Sequence, residues 1–171
     1  MNTFIKGTLA SLCAMFFIGG ANAQSHQWQF VTTGEGSTYA IEKDGSLWAW
    51  GWNESGQLGI GGGAQKVSVP TQVGTEKTWK YAVAGQSYAF FIKTDGTLWA
   101  VGDNTKGVQG VGDGMGHKTP IQVGTDTNWK SVSVSRFFGH TAIGLKTDGT
   151  LWGWGEGELG TLGLGNYKNQ T

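Results

Sequence analysis

Three aspartates recur through this chain at a spacing that could in principle assemble a carboxylate centre: Asp44, Asp95 and Asp148, 51 and then 53 residues apart. Paired carboxylates are what general acid–base and glycosidic chemistry require. Each of the three, however, is followed by glycine (Gly45, Gly96, Gly149) and then by Ser46, Thr97 or Thr150. Aspartate before glycine bonds its own turn backbone, and a residue repeated in every unit answers a need that every unit shares. These are therefore read as turn residues, and no catalytic residue is expected. Gly155-Glu156-Gly157-Glu158-Leu159-Gly160 matches the glycine spacing of a phosphate-binding fingerprint. No helical pattern follows it, and two carboxylates stand where a pyrophosphate would lie. The glycine stretches at 59–63 and 110–114 lack the tandem aspartates of calcium-binding repeats and read as loops. His26, His117 and His140 share no metal-ligand spacing, so neither a metal nor a cofactor is expected.

The elements behind these residues form a repeat. Lys43-Asp44-Gly45-Ser46-Leu47-Trp48-Ala49-Trp50 returns as Lys93-Thr94-Asp95-Gly96-Thr97-Leu98-Trp99-Ala100-Val101 and as Lys146-Thr147-Asp148-Gly149-Thr150-Leu151-Trp152-Gly153-Trp154. A second set, Trp28, Trp79 and Trp129, keeps the same rhythm. Trp48 and Trp50, or Trp152 and Trp154, are two apart and so share one face of a strand. An apolar run precedes each Asp-Gly turn, which makes a hairpin. The segments opening at Trp28, Trp79 and Trp129 add a third strand, and Pro70-Thr71-Gln72-Val73 and Pro120-Ile121-Gln122-Val123 a fourth. Four short strands per unit of about 50 residues describe a propeller blade. The expected fold is all-β, a propeller-type array of about three four-stranded blades, with units at about 28–78, 79–128 and 129–171.

The first 23 residues read as a secretory signal peptide: Lys6, an apolar stretch to Gly20, and the Ala21-Asn22-Ala23 cleavage site. Residues 24–171 then form the repeat domain, in a secreted or periplasmic location. The chain holds 12 basic and 12 acidic residues, so it lacks the electrostatic footprint for nucleic acid or for an anionic membrane. Its one cysteine, Cys13, lies in the signal segment, which leaves the mature chain without a disulfide.

Function is then sought where the units differ. Trp52 occupies a place that holds Asp103 and Glu156 in the other units, so it is read as exposed and as a partner-binding candidate. Arg136, Phe137 and Phe138 sit in an insertion confined to the third unit and are candidates of the same kind. The other eight tryptophans, Trp48, Trp99 and Trp152 among them, recur in register and are expected to be buried between blades. Asn53-Glu54-Ser55 and Asn169-Gln170-Thr171 fit the N-glycosylation sequon.

The repeated Lys-Thr-Asp-Gly-Thr-Leu-Trp, the Asn53-Glu54-Ser55-Gly56-Gln57-Leu58-Gly59 stretch and Pro-x-Gln-Val resemble the repeats of the regulator of chromosome condensation family. That resemblance implies a seven-bladed propeller serving as a protein-interaction surface. About three units fall short of a ring, so the array is expected to be incomplete, a fragment of a longer propeller or one completed by copies of itself or further blades. The expected function is a non-enzymatic secreted module that displays loops to a protein partner. The alternatives are an inhibitor of an extracellular or periplasmic enzyme and, with less support, guanine-nucleotide exchange or a glycan-active enzyme.

Overall fold

Each Asp-Gly pair closes a hairpin, and its hydrogen bonds explain the residues around it. In the second unit Gly96 N donates to Lys93 O (3.0 Å) and Lys93 N to Thr97 O (3.1 Å), a three-residue loop with Gly96 at φ +80°. Asp95 Oδ1 accepts from both Thr97 N (3.0 Å) and Thr97 Oγ1 (2.7 Å), and the same hydroxyl accepts from Trp99 Nε1 (2.9 Å). The relay from carboxylate through hydroxyl to indole recurs as Asp44–Ser46–Trp48 and Asp148–Thr150–Trp152. The residues in between, Leu47, Leu98 and Leu151, point to the opposite face, as period-2 alternation demands.

The computed structural model describes residues 26–135 and 139–171. The signal-peptide reading of 1–23 and the candidates Arg136, Phe137 and Phe138 lie outside those residues. Eleven strands are present among them: β1 Trp28–Thr33, β2 Ser37–Glu42, β3 Leu47–Trp52, β4 Lys66–Gln72, β5 Trp79–Ala84, β6 Tyr88–Lys93, β7 Leu98–Gly102, β8 His117–Gln122, β9 Trp129–Val134, β10 Thr141–Lys146 and β11 Leu151–Gly155. They pair antiparallel in chain order as β1-β2-β3-β4, β5-β6-β7-β8 and β9-β10-β11. A 3-10 turn at Thr105–Gly107 is the sole helical element described. In the third sheet Gln170 bridges Gly155, the place that Val67 takes opposite Gly51 and His117 opposite Gly102.

The sheets stack face to face, and each interface has its own apolar core. Tyr39, Ile41, Leu47 and Ala49 of the first blade meet Trp79, Ala82, Phe91 and Val101 of the second. The opposite face of the second blade, with Phe90, Ile92, Leu98 and Ala100, meets Trp129, Val132, Ala142 and Trp154 of the third. Tyr39–Phe91 and Phe90–Trp154 are edge-on aromatic contacts across the two interfaces, at 5.4 and 5.7 Å. The backbone repeats as well: Trp79 N donates to Gly45 O and Trp129 N to Gly96 O, both at 3.1 Å.

A cation caps the tryptophans of two blades. Lys93 Nζ lies 3.6 Å from the Trp99 ring centroid and 4.8 Å from that of Trp79, and pairs with Glu76 at 2.8 Å. Lys146 repeats this with Trp152, Trp129 and Asp126. Their stems pack on apolar rings, which is how lysines come to be buried. The first blade inverts the charge. Glu42 stands at the lysine position, and His26 stacks on Trp28 (4.7 Å) while its Nδ1 meets Glu42 Oε1 at 2.8 Å.

Burial corrects one expectation about the tryptophans. Trp79, Trp129 and Trp154 are buried, and Trp28, Trp48, Trp50 and Trp99 are half-buried, but Trp152 is 51% exposed. Trp48 and Trp99 lie beside Gln72 of β4 and Gln122 of β8, whereas among the described residues no fourth strand reaches Trp152.

Candidate functional site

The edge of the sheets opposite the Asp-Gly turns is where the units diverge. There the β1–β2 loop (34–36) lies beside the end of β3, and Trp52 N donates to Gly36 O at 2.7 Å. Gly36 makes room for the ring: a β-carbon there would come within 3.0 Å of Trp52 Cε3. The indole therefore rests on bare backbone and remains 39% exposed. It flanks a groove of about 450 Å³ lined by Gly36, Gly51, Glu54, Lys66 and Val67, an apolar floor between one acidic and one basic side chain.

The same edge carries polar ties between blades. His140 Nε2 lies 3.2 Å from Asp103 Oδ2, and Lys106 Nζ 3.2 Å from Glu158 Oε1. Tyr88 Oη reaches the carbonyls of Ser135 (3.1 Å) and Thr141 (3.2 Å), at the base of the segment that contains residues 136–138. Burial raises the Tyr88 hydroxyl pKa above its usual range, so it stays a donor. Neither Tyr88 nor the Asp103–His140 pair carries a sequence signal, because each partner comes from a different unit.

The loops after β3 and β7 are held by asparagines. Asn53 Oδ1 accepts from Leu58 N and its Nδ2 donates to Ala64 O; Asn104 Oδ1 likewise accepts from Gln109 N. Asn53 is buried. The sequon at Asn53 is thus a loop device, its amide nitrogen turned inward and engaged. Asn169 Oδ1 accepts from Gly157 N in the third unit.

Little in the arrangement suits catalysis. Among the described residues no three of His, Cys, Asp and Glu converge as a metal site. Gly155 ends β11, Gly157 and Gly160 bracket a turn, and no helix follows among the described residues. The Asp44 carboxyl is held well below the usual range, first by Lys77, 2.8 Å away across the blade interface, and then by Ser46. Asp95 and Asp148 are lowered by the Thr97 and Thr150 amides and hydroxyls. These directions keep carboxylates ionised, whereas a general acid at neutral pH needs the opposite. Stability from such groups is complete above about pH 4 and is lost as pH falls through their lowered folded-state values. All three are exposed, so solvent weakens the effect. Comparing Asp95→Asn with the parent should give a melting-temperature gap at pH 7 that closes well below pH 4. A gap independent of pH would contradict the assignment.

The regulator of chromosome condensation (RCC1) repeat profile matches residues 44–92, and a second RCC1 repeat profile matches 29–57. The chain belongs to the regulator of chromosome condensation repeat family. Among curated relatives, it is 32% identical to the ultraviolet-B receptor UVR8 of Arabidopsis thaliana, over 83% of this chain and 32% of that protein. It is 30% identical to the X-linked retinitis pigmentosa GTPase regulator of Canis lupus familiaris, over 82% of this chain and 14% of the relative. Among solved structures, Prp20p from Saccharomyces cerevisiae superposes with a TM-score of 0.74 at 22% identity, over 85% of this chain and 37% of that one. Human WBSCR16 gives 0.71 at 22%, over 88% and 40%. The chain thus spans well under half of these relatives. At such identities the two structures establish the fold: all-β, with the sheets of a propeller of this repeat family.

Proposed function

We propose that this chain is a non-enzymatic protein-interaction module, exported through its N-terminal apolar segment, which binds a protein partner through the loop edge that carries Trp52. The observation behind this reading is Trp52 itself, a large aromatic seated on Gly36 where the other blades carry Asp103 and Glu156. Exposed tryptophan beside a shallow groove is the residue most often found at the energetic centre of an interface. The relatives give the reading context, since Prp20p is described with binding to Gsp1p and histones, and to Kap60. A rigid sheet stack tied across its edge by Asp103–His140 and Lys106–Glu158 presents such loops with little ordering cost on binding.

Affinity capture from the host's exported fraction tests this. Trp52→Ala should weaken recovery of the specific partner about 10- to 30-fold, as loss of a central aromatic does. Trp152→Ala, which removes an exposed indole elsewhere, should leave it unchanged. A partner retained equally by all three proteins, or arrival of the full-length chain uncleaved in the cytoplasm, would overturn the proposal.

A further inference from the structure

The two outer blade faces carry the repeat positions that, inside the chain, form the two halves of one interface. Within the chain that interface is built twice, by the same repeat positions, between blades one and two and between blades two and three. On the side facing the next blade, Leu47 and Leu98 are fully buried, while Leu151 at the same position is 70% exposed. On the side facing the preceding blade, Ala82 and Val132 are buried, while their counterpart Val31 is 64% exposed.

Three details of the built interfaces recur unfilled at the outer faces. A β-carbon on Gly59 would sit 3.4 Å from Val101 Cγ2 of the next blade, and one on Gly110 would sit 3.0 Å from Trp154 Cδ1. A β-carbon on Gly163, the third member of the series, would meet no described atom within 4 Å. The side chain at the Val101 and Trp154 position in the first blade is Trp50, which lines an apolar groove of about 360 Å³ with Trp28, Val31 and Ala40. Likewise Gly45 and Gly96 abut the carbonyls of Lys77 and Thr127 and accept from Trp79 N and Trp129 N, while a β-carbon on Gly149 would meet no described atom within 4 Å. The matching donor is Trp28 N. On the third blade Val134, Ile143 and Leu159 line a groove of about 600 Å³, with Glu156 and Glu158 at its side.

We infer that a second copy of this chain is the occupant: the first blade of one copy packs on the third blade of another. Trp50 then enters the space at Gly163 against Ile143, as Trp154 meets Gly110 and Phe90, and Trp28 N bonds Gly149 O. Such a contact is heterologous, and with a half-turn between the copies its use at both ends closes two of them into a ring. Six blades fall within the four to eight of closed propellers.

Light scattering on the purified protein, expressed as the full chain and diluted from about 100 µM, tests this. The expected result is a two-copy particle that dissociates on dilution. Val31→Asp and Leu151→Lys each bury a charge in one half of the contact and should weaken pairing about 100-fold or more. Both sites are exposed in the single copy, so folding should persist. Mixing the two variants restores one intact interface, and pairing should return in the mixture alone. If either variant fails to fold, hydrogen exchange on the parent serves instead: protection of 28–33 and 149–153 should rise together with concentration. A monomer at 100 µM, with those faces covered by residues 1–25 or by other blades, overturns the inference. So does pairing that survives either substitution.

Discussion

Trp154→Ala is expected to destabilise the protein by about 3–5 kcal/mol, the range for removing a large aromatic from a packed core. The ring is buried between the second and third blades, edge-on to Phe90 and Trp129 at 5.7 Å each. A β-carbon on Gly144 would lie 2.4 Å from Trp129 Cζ3 and 2.9 Å from Trp154 Cη2, so the two indoles fill a space that their own sheet leaves by having glycine there. Its Nε1 has no hydrogen-bond partner among the described residues. Trp154→Phe therefore forfeits no hydrogen bond and should cost about 1–2 kcal/mol, for lost volume alone. The second blade fills the same region the other way round, with Phe91 and Val101 in place of Gly144 and Trp154. The double variant Trp154→Val with Gly144→Phe should consequently recover part of the loss of Trp154→Val. Denaturant melts of the parent, Trp154→Val, Gly144→Phe and the double variant measure the coupling. Strict additivity would show that the two packings are not interchangeable.

That exchange also marks how far the sequence could be read. The hairpins, the Asp-Gly turns and the shared face of alternate tryptophans follow from local chemistry, and they appear where the repeat places them. Trp28 does touch both Trp48 and Trp50, at 6.1 and 6.3 Å. The fourth strand of the first blade was legible only at Pro70-Thr71-Gln72-Val73, yet β4 starts at Lys66 and ends at Gln72. Its first half owes its form to pairing, Val67 opposite Gly51 and Lys66 opposite Trp52, and pairing across a long loop leaves no mark on local pattern. Burial of Lys93 and Lys146 leaves no mark on the local pattern, because the rings that bury them stand more than ten residues before them or several after. Exposure of Trp152 was hidden for a similar reason. Its register is that of Trp48 and Trp99, but what covers a residue is set by the neighbouring strand rather than by its own position. At the candidate site, Trp52 could be picked out because its counterparts are charged. The polar ties between the second and third blades along the same edge could not, because Asp103 and His140 belong to different units.

Gly96→Ala is the second large effect, expected at about 3 kcal/mol. Alanine is strained at φ +80° by about 1–2 kcal/mol, because its β-carbon crowds the backbone in the left-handed region. The remainder comes from across the blade interface. A β-carbon at Gly96 would overlap the Thr127 carbonyl, which approaches the turn because Trp129 N donates to Gly96 O at 3.1 Å. Making room means separating the second and third blades where their backbones are tied, with loss of a hydrogen bond of about 1 kcal/mol. Gly149→Ala separates the two contributions. Its φ of +88° is nearly the same, but no described atom lies within 4 Å of the new carbon. In dilute single-copy protein it should therefore cost only the backbone strain, about 1–2 kcal/mol. If the outer faces mate as inferred, Gly149→Ala acquires a second phenotype, weakened pairing with an otherwise intact fold. Thermal melts and light scattering on the same two variants thus distinguish a glycine needed by its own turn from one needed by the blade that packs on it. Equal destabilisation by both substitutions would mean that the turn alone, and not the approach of the next blade, demands glycine.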